Sequence, residues 1–191
     1  QLLDNDDLTV FYSDYTLDQI LRLREVLADD TSREATYLKA IICGILHGPS
    51  DMYLSLQTKD TYAGSVDYVK EYAEKNDLEK PDVDIRPKAI RKHELANKNP
   101  VPDGHSERTS IHKGDARNLG GVDDNVADLI LTSPPYMRVL DYTWNNWIRL
   151  WWLGDDRRNE RDNLDLTSDV EKYRRFMRES LIEMYRVLDD P

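Results

Sequence analysis

Leu129-Ile130-Leu131-Thr132-Ser133-Pro134-Pro135-Tyr136-Met137 is the stretch on which the reading of this chain turns. Asp128 opens an apolar run, Leu129 to Leu131, of the kind found in strands buried in a parallel sheet. Two prolines then stop it, because proline cannot donate to a ladder and fixes φ. Each proline also pushes the preceding residue out of the helical region. The pattern predicts a rigid corner at the carboxyl end of a strand, which is where open α/β sheets hold their ligands.

Upstream, Thr109 to Lys113 reads as a second strand, ending in Gly114-Asp115-Ala116-Arg117, and Val126 to Thr132 as the next. Neighbouring strands lie about 4.8 Å apart, so Asp115 and Ser133 to Tyr136 are expected to line one crevice. Downstream, Trp144, Trp147 and Trp151 fall at helical spacing, which suits core packing or stacking on a nucleobase. Ser168-Asp169-Val170-Glu171 caps a last helix whose stripe of Tyr173, Met177, Leu181, Met184 and Leu188 suits a sheet face.

The N-terminal half reads as helical. Thr16-Leu17-Asp18-Gln19 and Thr31-Ser32-Arg33-Glu34 fit capping boxes, and the second helix carries Leu38, Ile41, Ile42, Ile45 and Leu46 up to Gly48-Pro49. His47, at that helix end, suits a cation favoured by the dipole and a structural role. Further helices are expected from Ser65 to about Lys75 and from Lys88 to Lys98, with a polar loop over Pro100 to Arg108. Cys43 is the single cysteine, so no disulfide can form within the chain, and its apolar neighbours suit a core position.

A formal charge of −11 runs against the basic footprint of nucleic-acid binders. The acids are mostly Asp and lysine is scarce, a balance suited to high salt. Screening there shortens the Debye length to about 3 Å at 1 M, so net charge alone does not exclude DNA. No long apolar run or signal-peptide pattern appears, which favours the cytoplasm and argues against a membrane.

Thr132-Ser133-Pro134-Pro135-Tyr136 after an apolar strand resembles motif IV of the DNA amino-methyltransferases, which use S-adenosylmethionine. Serine before the prolines is most similar to the subgroup acting on the cytosine 4-amino group rather than adenine N6. Gly114-Asp115-Ala116 resembles the strand end beside the cofactor's adenine, and Arg186-Val187-Leu188 a later helix end of the family. The resemblance implies an α/β fold with a partial Rossmann-like class I methyltransferase sheet, parallel strands flanked by helices, behind a largely helical N-terminal half. Residues 1–108 are then a helical insertion or N-terminal part and 109–191 the catalytic part of one domain.

The resemblance also implies roles. Ser133 and the Pro134 carbonyl would accept from the target amino group, Pro135 would stiffen the corner, and Tyr136 would stack on the extruded base. Asp115, Ala116 and Thr132 would bind cofactor, with a cap on the next helix as the lesser alternative for Asp115. Arg138, Asp141 and Tyr142 would position the target strand or simply the following helix. No histidine spacing suggests a metal. No Gly-x-Gly occurs, so the cofactor loop is expected before Gln1 or, in the other motif order, after Pro191. The first residue is not Met and both ends look cut, so a fragment with a missing cofactor-binding segment is expected. DNA is the expected partner, and the family leaves room for a restriction–modification partner. Two alternatives stand beside this reading: an amino-methyltransferase for RNA or protein glutamine, and a non-catalytic DNA-recognition or assembly subunit.

Overall fold

The computed structural model describes residues 5–99, 101–102, 104–137, 141–155 and 167–189. The chain forms two compact units, one of Gln1–Pro100 with Tyr142–Arg161 and the other of Val101–Asp141 with Asp162–Pro191. Among the described residues its helices are α1 (Asn5–Leu8), α2 (Asp14–Leu27), α3 (Arg33–Cys43), α4 (Val66–Lys75), α5 (Ile85–Ala96), α6 (Tyr142–Asn145), α7 (Trp147–Leu153) and α8 (Val170–Val187), with a 3-10 turn at Ser106–Arg108. None among the described residues is long and apolar enough to cross a membrane.

The first unit is a helical cluster whose last helix comes from far along the chain. Local capping sets its boundaries: Ser13, Ser32 and Ser65 each place a hydroxyl on the N–H three residues on. The anticipated boxes are therefore displaced. Thr16 and Gln19 lie inside α2, one turn apart on the same face, and serve a distant segment instead. The buried Thr16 hydroxyl accepts from the Val83 N–H at 2.8 Å, while Gln19 accepts from the Ile85 N–H at 3.2 Å and donates to the Val83 carbonyl at 3.1 Å. They hold the chain that leads into α5. The second anticipated helix ends at Cys43 rather than near Gly48, and Ile45 and Leu46 are buried beyond it. Gly48 is required by contact, since a Cβ there would sit 2.3 Å from the Tyr53 ring.

α7 fills the centre of this unit. Trp147, Ile148, Trp151 and Trp152 are all buried, and Trp144 is 39% exposed. The indole N–H of Trp147 donates to the Gly64 carbonyl at 3.2 Å and that of Trp152 to the Lys39 carbonyl at 3.0 Å, so neither aromatic buries an unmet donor. Arg24 lies 4.6 Å over the Trp151 ring and donates to the Trp151 carbonyl at 3.0 Å. The core-packing reading of the tryptophan spacing holds for Trp147 and Trp151.

His47 is buried against Phe11 (ring centroids 5.4 Å apart). Its Nδ1 meets the Ser55 hydroxyl at 2.8 Å, and its Nε2 lies 3.2 Å from the Tyr62 carbonyl. Burial outweighs these partners and lowers its pKa from 6.5 to about 4, with the Arg149 charge acting in the same direction. His47 is thus structural but neutral, not the dipole-paired cation its helix-end position suggested.

The second unit is built on α8. The Asp169 carboxylate accepts from the N–H groups of Glu171 and Lys172 at 2.8 and 3.2 Å, which holds its pKa below the ordinary value. At the other end, Arg186 binds the Leu119–Asp124 loop. Its guanidinium donates to the carbonyls of Leu119 and Val122 (both 3.0 Å), pairs with Asp124, and meets Glu183 at 3.0 Å. Glu183 in turn accepts from the Leu119 N–H at 2.9 Å. The residues just beyond this loop pair with the helix end: Val126 and Ala127 donate to the Val187 carbonyl at 2.9 Å, and Asp189 donates to that of Ala127 at 3.0 Å.

Here the expected architecture is overturned. The described residues contain a single parallel bridge, Ala127 with Leu188, and no sheet; the protein is helical, not a Rossmann-like α/β fold. The expected strands over Thr109 to Lys113 and Leu129 to Leu131 lie in irregular chain, with Ile111 92%, Leu129 72% and Leu131 87% exposed. The physical reason is backbone pairing. A parallel strand can be buried only with ladder partners, since an unpaired peptide group taken from water costs about 1–3 kcal/mol. Among the described residues pairing stops at Ala127, so the apolar run stays in solvent. The α8 stripe changes with it: Ser180 and Val187 are buried, and Leu181 is 56% exposed rather than packed on a sheet.

Two outcomes test this account. As pH falls, the unfolded chain takes up the His47 proton near 6.5 while the folded chain resists it until about 4. The histidine's contribution is therefore complete above pH 6.5, declines between 6.5 and 4 and is lost below; the shift corresponds to roughly 3 kcal/mol. Urea unfolding at pH 7.5 and pH 4.5 should show a larger drop in the native chain than in His47→Gln, and equal drops would refute the burial argument. Arg186→Leu, which removes the loop's anchor, should lower the thermal midpoint by circular dichroism. Arg22→Gln breaks only an exposed pair with Asp18 and should leave that midpoint unchanged.

Candidate base-binding corner

Thr132 and Ser133 are exposed, Pro134 and Pro135 half-buried, and the Tyr136 ring is 55% exposed. The Tyr173 hydroxyl of α8 donates to the Pro135 carbonyl at 3.1 Å, a long-range bond that holds the corner among the described residues. Two consecutive prolines supply stiffness without any donor of their own, so an external donor to the carbonyl between them and Tyr136 is an economical anchor. The result presents a hydroxyl and an aromatic face to solvent from restrained backbone.

The Gly114-Asp115-Ala116 segment forms a turn rather than a strand end. Asp115 accepts from the Arg117 N–H at 2.9 Å, and its oxygens meet the Arg117 guanidinium at 2.6 and 3.0 Å. These bonds to Arg117 keep the carboxyl below its ordinary range. The Arg117 guanidinium lies 5.6 Å from the Phe176 ring on α8, and Ala116 is half-buried. Asp115 therefore closes a local turn through both of its oxygens, and no helix follows for it to cap.

α8 brings the two segments together. Tyr173 touches the corner and Phe176, one turn on, approaches the Asp115–Arg117 turn. Of the other anticipated site residues, Arg138 lies outside the described residues. Asp141 is half-buried and engaged, and Tyr142 begins α6 in the tryptophan-rich unit, its carbonyl accepting from Asn146. The tyrosine at 173 was legible only as one member of an apolar stripe; nothing local marks a hydroxyl that finds its acceptor 38 residues away. Arg186 was likewise visible only as part of a helix end.

No family model, curated protein or solved structure matches this chain.

Proposed function

We propose that this protein takes part in methylating the exocyclic amino group of a DNA base, with cytosine N4 favoured over adenine N6, and that residues 132–136 hold the base. The observation that carries the reading is the exposed Ser133 and Tyr136 on a double-proline corner whose Pro135 carbonyl is tied to α8. It rests on the motif and its presentation, not on a fold.

A nucleobase amino nitrogen is a weak nucleophile because its lone pair is spread into the ring. Acceptors at its hydrogens favour a geometry that frees the pair, and the Ser133 hydroxyl and Pro134 carbonyl are suited to that role. Neither is a general base, so as the N–CH3 bond formed the donor's S–CH3 bond would break, its sulfur would leave as the neutral thioether, and the amino proton would then pass to solvent. The methyl donor supplies the electrophilic carbon, and the protein supplies alignment. The exposed Tyr136 ring offers a stacking face for a base extruded from the duplex. No site for the donor is assigned, since Asp115 pairs with Arg117 through both oxygens. That pairing favours a second reading, a DNA-recognition or assembly subunit that binds the base without transferring methyl.

The test uses the product of the complete gene with methyl-labelled S-adenosylmethionine and DNA, followed by mass spectrometry of the nucleosides. N4-methylcytosine is expected. Methyladenine alone overturns the cytosine preference, and DNA binding without any product supports the second reading. Tyr136→Ala should lower turnover by about 10- to 100-fold, the worth of one stacking contact, with folding intact. Unchanged turnover would remove the stacking role.

A further inference from the structure

α8 turns Tyr173 and Phe176 toward the corner and the Asp115 turn, and a different chemistry outward. Lys172, Arg174, Arg175 and Arg178 fall within seven residues of a chain whose formal charge is −11. The adjacent acids are largely occupied. Asp169 caps the helix through two backbone N–H groups, and Glu171 pairs with Arg174 at 3.0 Å. Asp169 acts on Lys172 and Arg175 through space as well, and Glu179 is exposed nearby. Among the described residues no ion pair engages Lys172, Arg175 or Arg178.

A neighbouring face of α8, which shares Arg174 and Arg178 with the cationic one, is apolar: Leu181, Ile182 and Tyr185 are 56%, 56% and 78% exposed. Cations followed by an exposed aromatic, in an otherwise acidic protein, complement a nucleic-acid strand: phosphates meet the charges and a base face meets the ring.

We infer that the outer face of α8 is the strand-tracking surface of this protein, with Lys172, Arg175 and Arg178 contacting successive DNA phosphates and Tyr185 stacking on a base. This rests on the DNA-directed reading above and adds the surface that would bring the strand to the corner. From Lys172 to Arg178 the helix rises about 9 Å. At about 3.4 Å of axial rise per nucleotide, that spans two to three phosphates of one strand.

Fluorescence anisotropy with a labelled oligonucleotide across a salt series tests the assignment on the complete gene product, with methyl transfer measured in parallel. Arg175→Gln/Arg178→Gln sits on exposed helix positions and keeps good helix propensity, so circular dichroism should be unchanged. It should weaken binding by about tenfold or more at low salt and reduce the slope of log K against log salt by about 2. Tyr185→Ala should weaken single-stranded binding without changing that slope. A native affinity and slope in the double variant would overturn the surface while leaving methylation standing if native protein yields product. Slope loss in a protein that never yields product supports the surface and removes the methylation reading. Native protein that binds no DNA, or only self-associates through this face, overturns the inference.

Discussion

Phe11, His47 and Trp147 meet edge to face at the centre of the first unit, with Phe11 5.4 Å from His47 and 5.3 Å from Trp147. They come from the N-terminus, the segment after α3 and the start of α7. Arg149, on α7, donates to the His47 carbonyl at 3.1 Å, so the same helix both inserts its indoles and closes a polar gap. Removing α7 from this cluster would leave an apolar void, and the void and transfer terms together cost several kcal/mol per large side chain. The N-terminal helices are thus organised around residues supplied from about a hundred positions later.

The second unit is held together in a different way. Arg186 and Glu183 satisfy the Leu119–Asp124 loop with side chains rather than with a ladder. Where those partners end, the apolar run toward Ser133 remains in solvent. The corner beyond it is held from outside by Tyr173, which makes α8 the element that positions the candidate site and also presents the cationic outer face.

Local features were legible. The start of the last helix (capped by Asp169, one residue beyond the Ser168 of the expected box), the helix from Ser65 to Lys75 and the burial of Trp147 and Trp151 all follow from interactions spanning a few residues. Thr16 and Gln19 show the limit of that kind of reading. Their spacing is correct for a capping box, and they lie on one face as such a pair must. A backbone segment more than sixty residues away claims both side chains, and Ser13 takes the cap instead. His47 shows it again, since a position at a helix end says nothing about whether the ring is wet or buried.

The sequence by itself determined the approximate spans of the longer helices and where the double-proline corner stands, because capping, periodicity and proline geometry act over one or two turns of chain. Only the tertiary structure decided that Leu129 to Leu131 is not a buried strand, that Asp115 serves Arg117, and that Tyr173 holds the corner. A strand needs a neighbour's peptide groups, a carboxylate takes the cation closest in space, and a carbonyl is anchored by whichever donor the fold delivers. Those partners are set by contacts between distant residues, which a linear pattern of residue types does not encode one position at a time.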